Sequence, residues 1–197
     1  MVTHSISVLV MLTFILLQVT GGLSPFSYFL ILAVIGMAPV AAELLLWKKD
    51  KETEMIKHLT AIGFAVFYTV CLFTATNNMV FIFAIPMIFV VSIYNDIRYL
   101  IMINAGTIVE SILVSVLGAS TGKFGYAGME SAIIQVVVMI LVGVYSVFTT
   151  KTLKDNSVQK LEQVSKAQEQ TEDLLQANSE LSDKLSAGIE DIHEKMN

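Results

Sequence analysis

Across its first 150 residues this chain carries only 13 charged side chains, and its apolar residues come in long runs. A soluble domain cannot be clothed from such a supply, because too few charges remain to face water. Six runs stand out, at 4–19, 25–47, 57–74, 79–94, 99–117 and 131–149. Each approaches the ~20 residues that carry a helix across hydrocarbon, the first and fourth falling shortest. Backbone polar groups in lipid must be satisfied within the chain, so the expected fold is an all-α membrane protein with a six-transmembrane-helix bundle over 1–150. The first run is expected to stay as a span. Its leader, Met1 to Ser5, has no Lys or Arg, and Gln18 to Gly22 makes a poor cleavage site.

Near Lys151 the character changes. Residues 151–197 hold 16 charges in 47 positions and no proline. One heptad phase runs through them, with position a at Leu161, Gln168, Leu175, Ser182, Ile189 and Met196, and position d at Val164, Thr171, Asn178, Leu185 and Ile192. The expectation is a long cytoplasmic coiled-coil helix whose dimer seam is Leu161, Val164, Leu175, Leu185, Ile189 and Ile192. Polar residues at Gln168, Thr171, Asn178 and Ser182 weaken that seam; they suit a helix that shifts between packing states, or are ordinary imperfections. Such a helix cannot bury its seam alone and needs a partner, another copy or a returning helix; a parallel homodimer is the leading expectation.

Basic residues set the orientation. With six spans, Lys48, Lys49, Lys51, Lys57, Arg98 and the lysines of the tail share one side, and only Lys123 falls on the other. The positive-inside rule then puts both termini in the cytoplasm.

Several chemistries are excluded by what is missing. No basic patch suits nucleic acid, and Cys71 is the only cysteine, so neither a disulfide framework nor a cysteine metal cluster can form. His4, His58 and His193 are scattered with no metal-ligand spacing, and neither a phosphate-binding glycine loop nor a G-x-S-x-G elbow is present. No catalytic residue, metal or cofactor is expected, and the chain reads as a non-enzyme.

The polar residues inside the spans are the candidate site. Glu110 lies near the middle of the fifth run, about 16 Å along its helix, beside a stripe of Asn104, Thr107, Ser111 and Ser115. It is read either as a ligand, proton or cation contact in a bundle cavity, or as a protonated carboxyl hydrogen-bonded to neighbouring helices. Asn104, Thr107 and Gln135 complete the candidate ligand set, Gln135 as a possible partner of Glu110. Glu43 is read as structural, reaching the interface or Lys48 and Lys49. Pro39 and Pro86 are expected to kink or loosen their helices. In the turn Tyr94-Asn95-Asp96-Ile97-Arg98, Arg98 is expected to anchor topology, within reach of Asp96 or lipid phosphate.

A six-span bundle with small external loops, followed by Lys160-Leu161-Glu162-Gln163-Val164, Gln170-Thr171-Glu172-Asp173-Leu174-Leu175 and Leu185-Ser186-Ala187-Gly188-Ile189-Glu190, resembles multi-span methyl-accepting chemotaxis proteins of Gram-positive bacteria. The Tyr94 to Arg98 turn also resembles six-span input modules attached to diguanylate cyclases. The chemoreceptor resemblance implies a homodimer in the bacterial cytoplasmic membrane that controls a histidine kinase through a chemotaxis adaptor. The family's kinase-contacting tip, methylation helices and returning helix are not in this sequence, so the chain reads as the input half of such a receptor, a truncation or a natural fragment. The leading expectation is therefore signal transduction from the bilayer to a dimeric coiled coil. The input region of a sensor histidine kinase or diguanylate cyclase is the alternative, and a small-solute transporter using Glu110 comes third.

Overall fold

The computed structural model describes residues 2–50 and 53–196, less the side chains at 190–192, 194 and 196. Every regular element among them is helical: α1 (Val2–Thr20), α2 (Phe26–Lys49), α3 (Met55–Phe73), a 3-10 turn (Val80–Phe83) leading into α4 (Ala84–Ser92), α5 (Ile97–Thr121) and α6 (Met129–Met196). Among the described residues five helices, α1, α2, α3, α5 and α6, are long and apolar enough to cross a membrane. Contacts divide the chain into two units, Met1–Lys151 and Thr152–Asn197.

The fourth apolar run differs from expectation. It does not form one spanning helix but a 3-10 turn and a nine-residue α4. Pro86 explains the break: it has no N–H to give the Ile82 carbonyl, and its ring crowds that carbonyl, so the α-helix begins only at Ala84. The proline sits in the first turn, where a missing N–H is tolerated. With its 3-10 turn, α4 covers about 22 Å, short of the ~30 Å hydrocarbon thickness. It compensates by lying deep in the core, with Ala84, Met87, Ile88, Val90 and Val91 all buried.

Polar and small residues set the helix directions. In α2 and α3, Gly36 lies opposite Phe67, Pro39 opposite Gly63, and Glu43 opposite Thr60, an antiparallel match along both helices. Helix α2 runs through Pro39 without a break. The Pro39 ring occupies the space where a side chain at Gly63 would go, so this proline works as a packing wedge between the two helices. Helices α3 and α5 run parallel: Lys57 meets Asp96, His58 meets Tyr99, and Thr69 meets Glu110. The return between them is made by the 3-10 turn and α4, whose far end brings Tyr94 back to Thr60.

Asp96 caps α5, accepting from the backbone N–H groups of Arg98 and Tyr99. Asn95 supplies the left-handed turn before it, φ 55°, which Asn adopts more readily than most residues. At the other end Gly122 closes α5 at φ 68°. The buried residues of α5 are Leu100, Asn104, Thr107, Ser111, Val114 and Gly118, one stripe at helical spacing. Helix α6 buries Ala132, Gln135, Met139, Gly143, Ser146 and Thr150; of these, Gly143 and Ser146 meet Asn104, and Ala132 and Gln135 lie beside Val114. Where the two helices meet the residues are small and polar, and Gly143 leaves the space that the Asn104 side chain takes.

In the second unit the chain stays helical to Met196, and every described side chain is exposed. Lys166 and Glu162 pair at 2.9 Å across one turn. Lys51, one of the residues used for orientation, lies outside the described residues, as does the Ile192 side chain of the expected seam.

Candidate functional site

The beginnings of α1 and α3, the last turns of α2 and the segment after α4 converge on a buried polar cluster. His4 Nδ1 lies 2.6 Å from Glu43 Oε1, with the two side chains 1% and 0% exposed. Thr60 Oγ1 donates to the same Glu43 oxygen at 2.7 Å and also lies 2.8 Å from the Ile56 carbonyl. A single hydroxyl proton serves those two acceptors in turn, which leaves the Tyr94 hydroxyl, 3.0 Å away, to donate to Thr60. The His4 ring packs on Phe64 with centroids 4.9 Å apart. Four segments thus meet around one carboxyl.

Two atoms of this cluster have no partner: His4 Nε2 and Glu43 Oε2 are both buried and unbonded. An uncompensated polar atom in such surroundings costs about 1–3 kcal/mol. The His4–Glu43 contact uses one polar atom of each residue and leaves the other open to a polar guest.

A second polar layer lies beside it. Lys57 donates to Asp96 Oδ2 at 3.1 Å and sits 5.5 Å over the Tyr99 ring, while His58 hydrogen-bonds the Tyr99 hydroxyl. The Lys57 hydrogen bond, against the opposing effect of burial, holds the Asp96 carboxyl below its ordinary range, helped by the backbone N–H groups of Tyr99 and Arg98. Arg98 is thus not the side-chain partner of Asp96; Lys57 is.

The residues singled out from sequence fall in three places. Glu110 accepts from Thr69 at 2.5 Å and, with Thr107, lines a cavity of about 170 Å3 also walled by Tyr68 and Met87. Asn104 turns to α6, donating to Ser146 Oγ at 3.0 Å and to the Leu100 carbonyl at 2.8 Å. Gln135 is buried near Ser131 and Tyr126, with its Nε2 unbonded. Glu110 and Gln135 therefore do not pair.

No protein-family model matches the chain, and no curated protein or solved structure matches it either. Among the described residues no group of three or more His, Cys, Asp or Glu is placed to hold a metal ion.

Sequence reasoning missed the His4–Glu43 pair. Glu43 does not reach the interface or Lys48 and Lys49; it is sealed inside against α1 and α3. The signal that finds it is depth. His4 lies near the start of α1 and Glu43 lies less than two turns before Lys49, so antiparallel neighbours bring two interrupting polar residues to similar height.

Proposed function

We propose that the chain is a non-enzymatic signal transducer of a bacterial cytoplasmic membrane, related in design to multi-span chemoreceptors. In this reading the chain crosses the bilayer six times, the short α4 serving as a crossing because its neighbours cover it. Both termini then lie in the cytoplasm. The observation that carries the proposal is the dual face of α6. Before Lys151 it packs through Gln135, Gly143, Ser146 and Thr150; beyond it, an apolar seam has no cover. Leu161, Val164, Leu175, Leu185 and Ile189 are 61% to 70% exposed. Apolar residues recurring in one heptad phase, even with polar residues between them, call for a partner, and a second copy in parallel supplies the matching heptads. A stimulus that shifts the α5–α6 seam would then change how the paired helices pack.

The test is disulfide formation in native membranes. Single cysteines at Leu175 or Leu185, in a Cys71→Ala background, are expected to cross-link rapidly, and a cysteine at Glu180 slowly. Equal rates at all three positions would overturn the parallel dimer and, with it, this route for the signal.

A further inference from the structure

At the end of the bundle opposite His4, two cavities share a wall. The larger, about 630 Å3, lies between the segment after α3 and the turn joining α5 to α6, with Thr76, Asn77, Asn78, Lys123 and Tyr126 among its walls. The two segments touch so closely that the Asn77 carbonyl fills the place of any side chain at Gly125. The turn is held in an unusual shape: Gly122, Phe124 and Gly125 all have positive φ, at 68°, 61° and 68°. For a bulky residue such as Phe124 this conformation costs about 1–3 kcal/mol, and it persists only where surroundings enforce it. An edge contact with Phe73, centroids 5.9 Å apart, does so here. The result presents Lys123 on the cavity wall, exposed and with no ion-pair partner among the described residues.

The smaller cavity, about 410 Å3, is apolar and runs between the last turns of α1 and the 3-10 turn. Phe14, Leu17, Leu23, Val80, Ile82 and Phe83 line it, with Gln18 and Asn77 as its polar walls. Asn77 thus borders both spaces. Its side-chain oxygen accepts from the Met79 N–H at 2.9 Å, which leaves its amide N–H2 as a donor at the junction.

We propose that the two cavities together bind one amphipathic acid, a single acyl chain in the apolar cavity with its carboxylate turned past Asn77 towards Lys123. Charge complementarity selects the head: a cation and an amide donor await an acceptor, and no acidic side chain among the described residues pairs with Lys123. Size selects the tail. A cavity of about 410 Å3 sits low in the ~300–1,000 Å3 range of small-ligand sites, so it takes one chain and not the two of a phospholipid. The inference rests on the bundle lying in a membrane, not on its signalling.

The test uses the full chain in phosphatidylcholine nanodiscs and a twelve-carbon fatty acid carrying a diazirine on its chain, with photo-adducts mapped by peptide mass spectrometry. Adducts should concentrate at 14–23 and 79–83, and be displaced by laurate but not by dodecanol. Lys123→Gln should lower labelling about tenfold, the loss of one charge-assisted hydrogen bond, with an unchanged melting temperature. Leu17→Trp, which fills the apolar cavity, should abolish it. Adducts spread evenly over the exposed apolar helix faces would overturn the proposal. So would equal displacement by dodecanol, or labelling unchanged in Lys123→Gln. Displacement by phosphatidylglycerol as effective as by laurate would overturn the single-chain assignment.

Discussion

His4 and Glu43 stabilise the bundle only as a pair. Removing one leaves the other buried without its partner, so His4→Leu and Glu43→Leu are each expected to lower stability by about 3–5 kcal/mol. The double variant should recover much of that loss, because an apolar pair of similar volume fits among Phe64 and its neighbours. Unfolding in detergent, read as a double-mutant cycle, measures this; single variants as stable as the parent would refute it. Asp96 offers a pH test. Its carboxyl is held below the ordinary range in the folded state by Lys57, so the folded chain binds that proton less readily than the unfolded one. The stabilisation is then complete above about pH 4, the unfolded carboxylate value, and is lost as pH falls through the lowered folded value. Asp96→Asn keeps the helix cap but not the charge. Its melting deficit relative to the parent should be constant near neutrality and vanish in acid. The pair was legible only in part: depth brings His4 and Glu43 to similar height, but the face of α1 that turns towards Glu43 is set by tertiary packing.

At the scale of helices, periodicity carried the sequence reading furthest. The stripe through Asn104, Thr107 and Ser111 is buried as its spacing implies, because a polar face in an apolar helix has only the protein interior to turn to. The fourth run was legible in part: Pro86 predicts a loosened helix, and the interruption falls just ahead of that proline as a 3-10 turn, which leaves α4 too short to be the full span its apolar length implied. Glycine roles were hidden. Gly63→Ala should cost about 1–3 kcal/mol, because the new methyl meets the Pro39 ring with no room to yield. Gly106→Ala, on an open face of α5, should be neutral or slightly stabilising. Melting curves of the two variants in the same detergent decide it; equal melting temperatures would remove the wedge between α2 and α3.

For the whole molecule, the tail extends the argument beyond the bundle. Position d of the proposed seam carries Asn178, whose polar amide loosens packing there. Asn178→Leu is expected to speed cross-linking between cysteines placed at Leu175, and a slower rate would argue against a seam in this register. The heptads were legible because their spacing is local; a partner for them is not a property that one chain's sequence carries. The parallel course of α3 and α5 also bears on biosynthesis in a membrane. Lys57–Asp96, His58–Tyr99 and Thr69–Glu110 can form only after α5 has been made. If α4 is the proposed fourth crossing, then until α5 is made this helix, too short to hold itself across hydrocarbon, has only its earlier neighbours to keep it in place. Chains truncated at Tyr94 and released into membranes should therefore leave α4 accessible to water-soluble labels, and chains extended through Thr121 should shield it. Insertion of this protein is on that view not a sequence of independent crossings; the later helix rescues the earlier one.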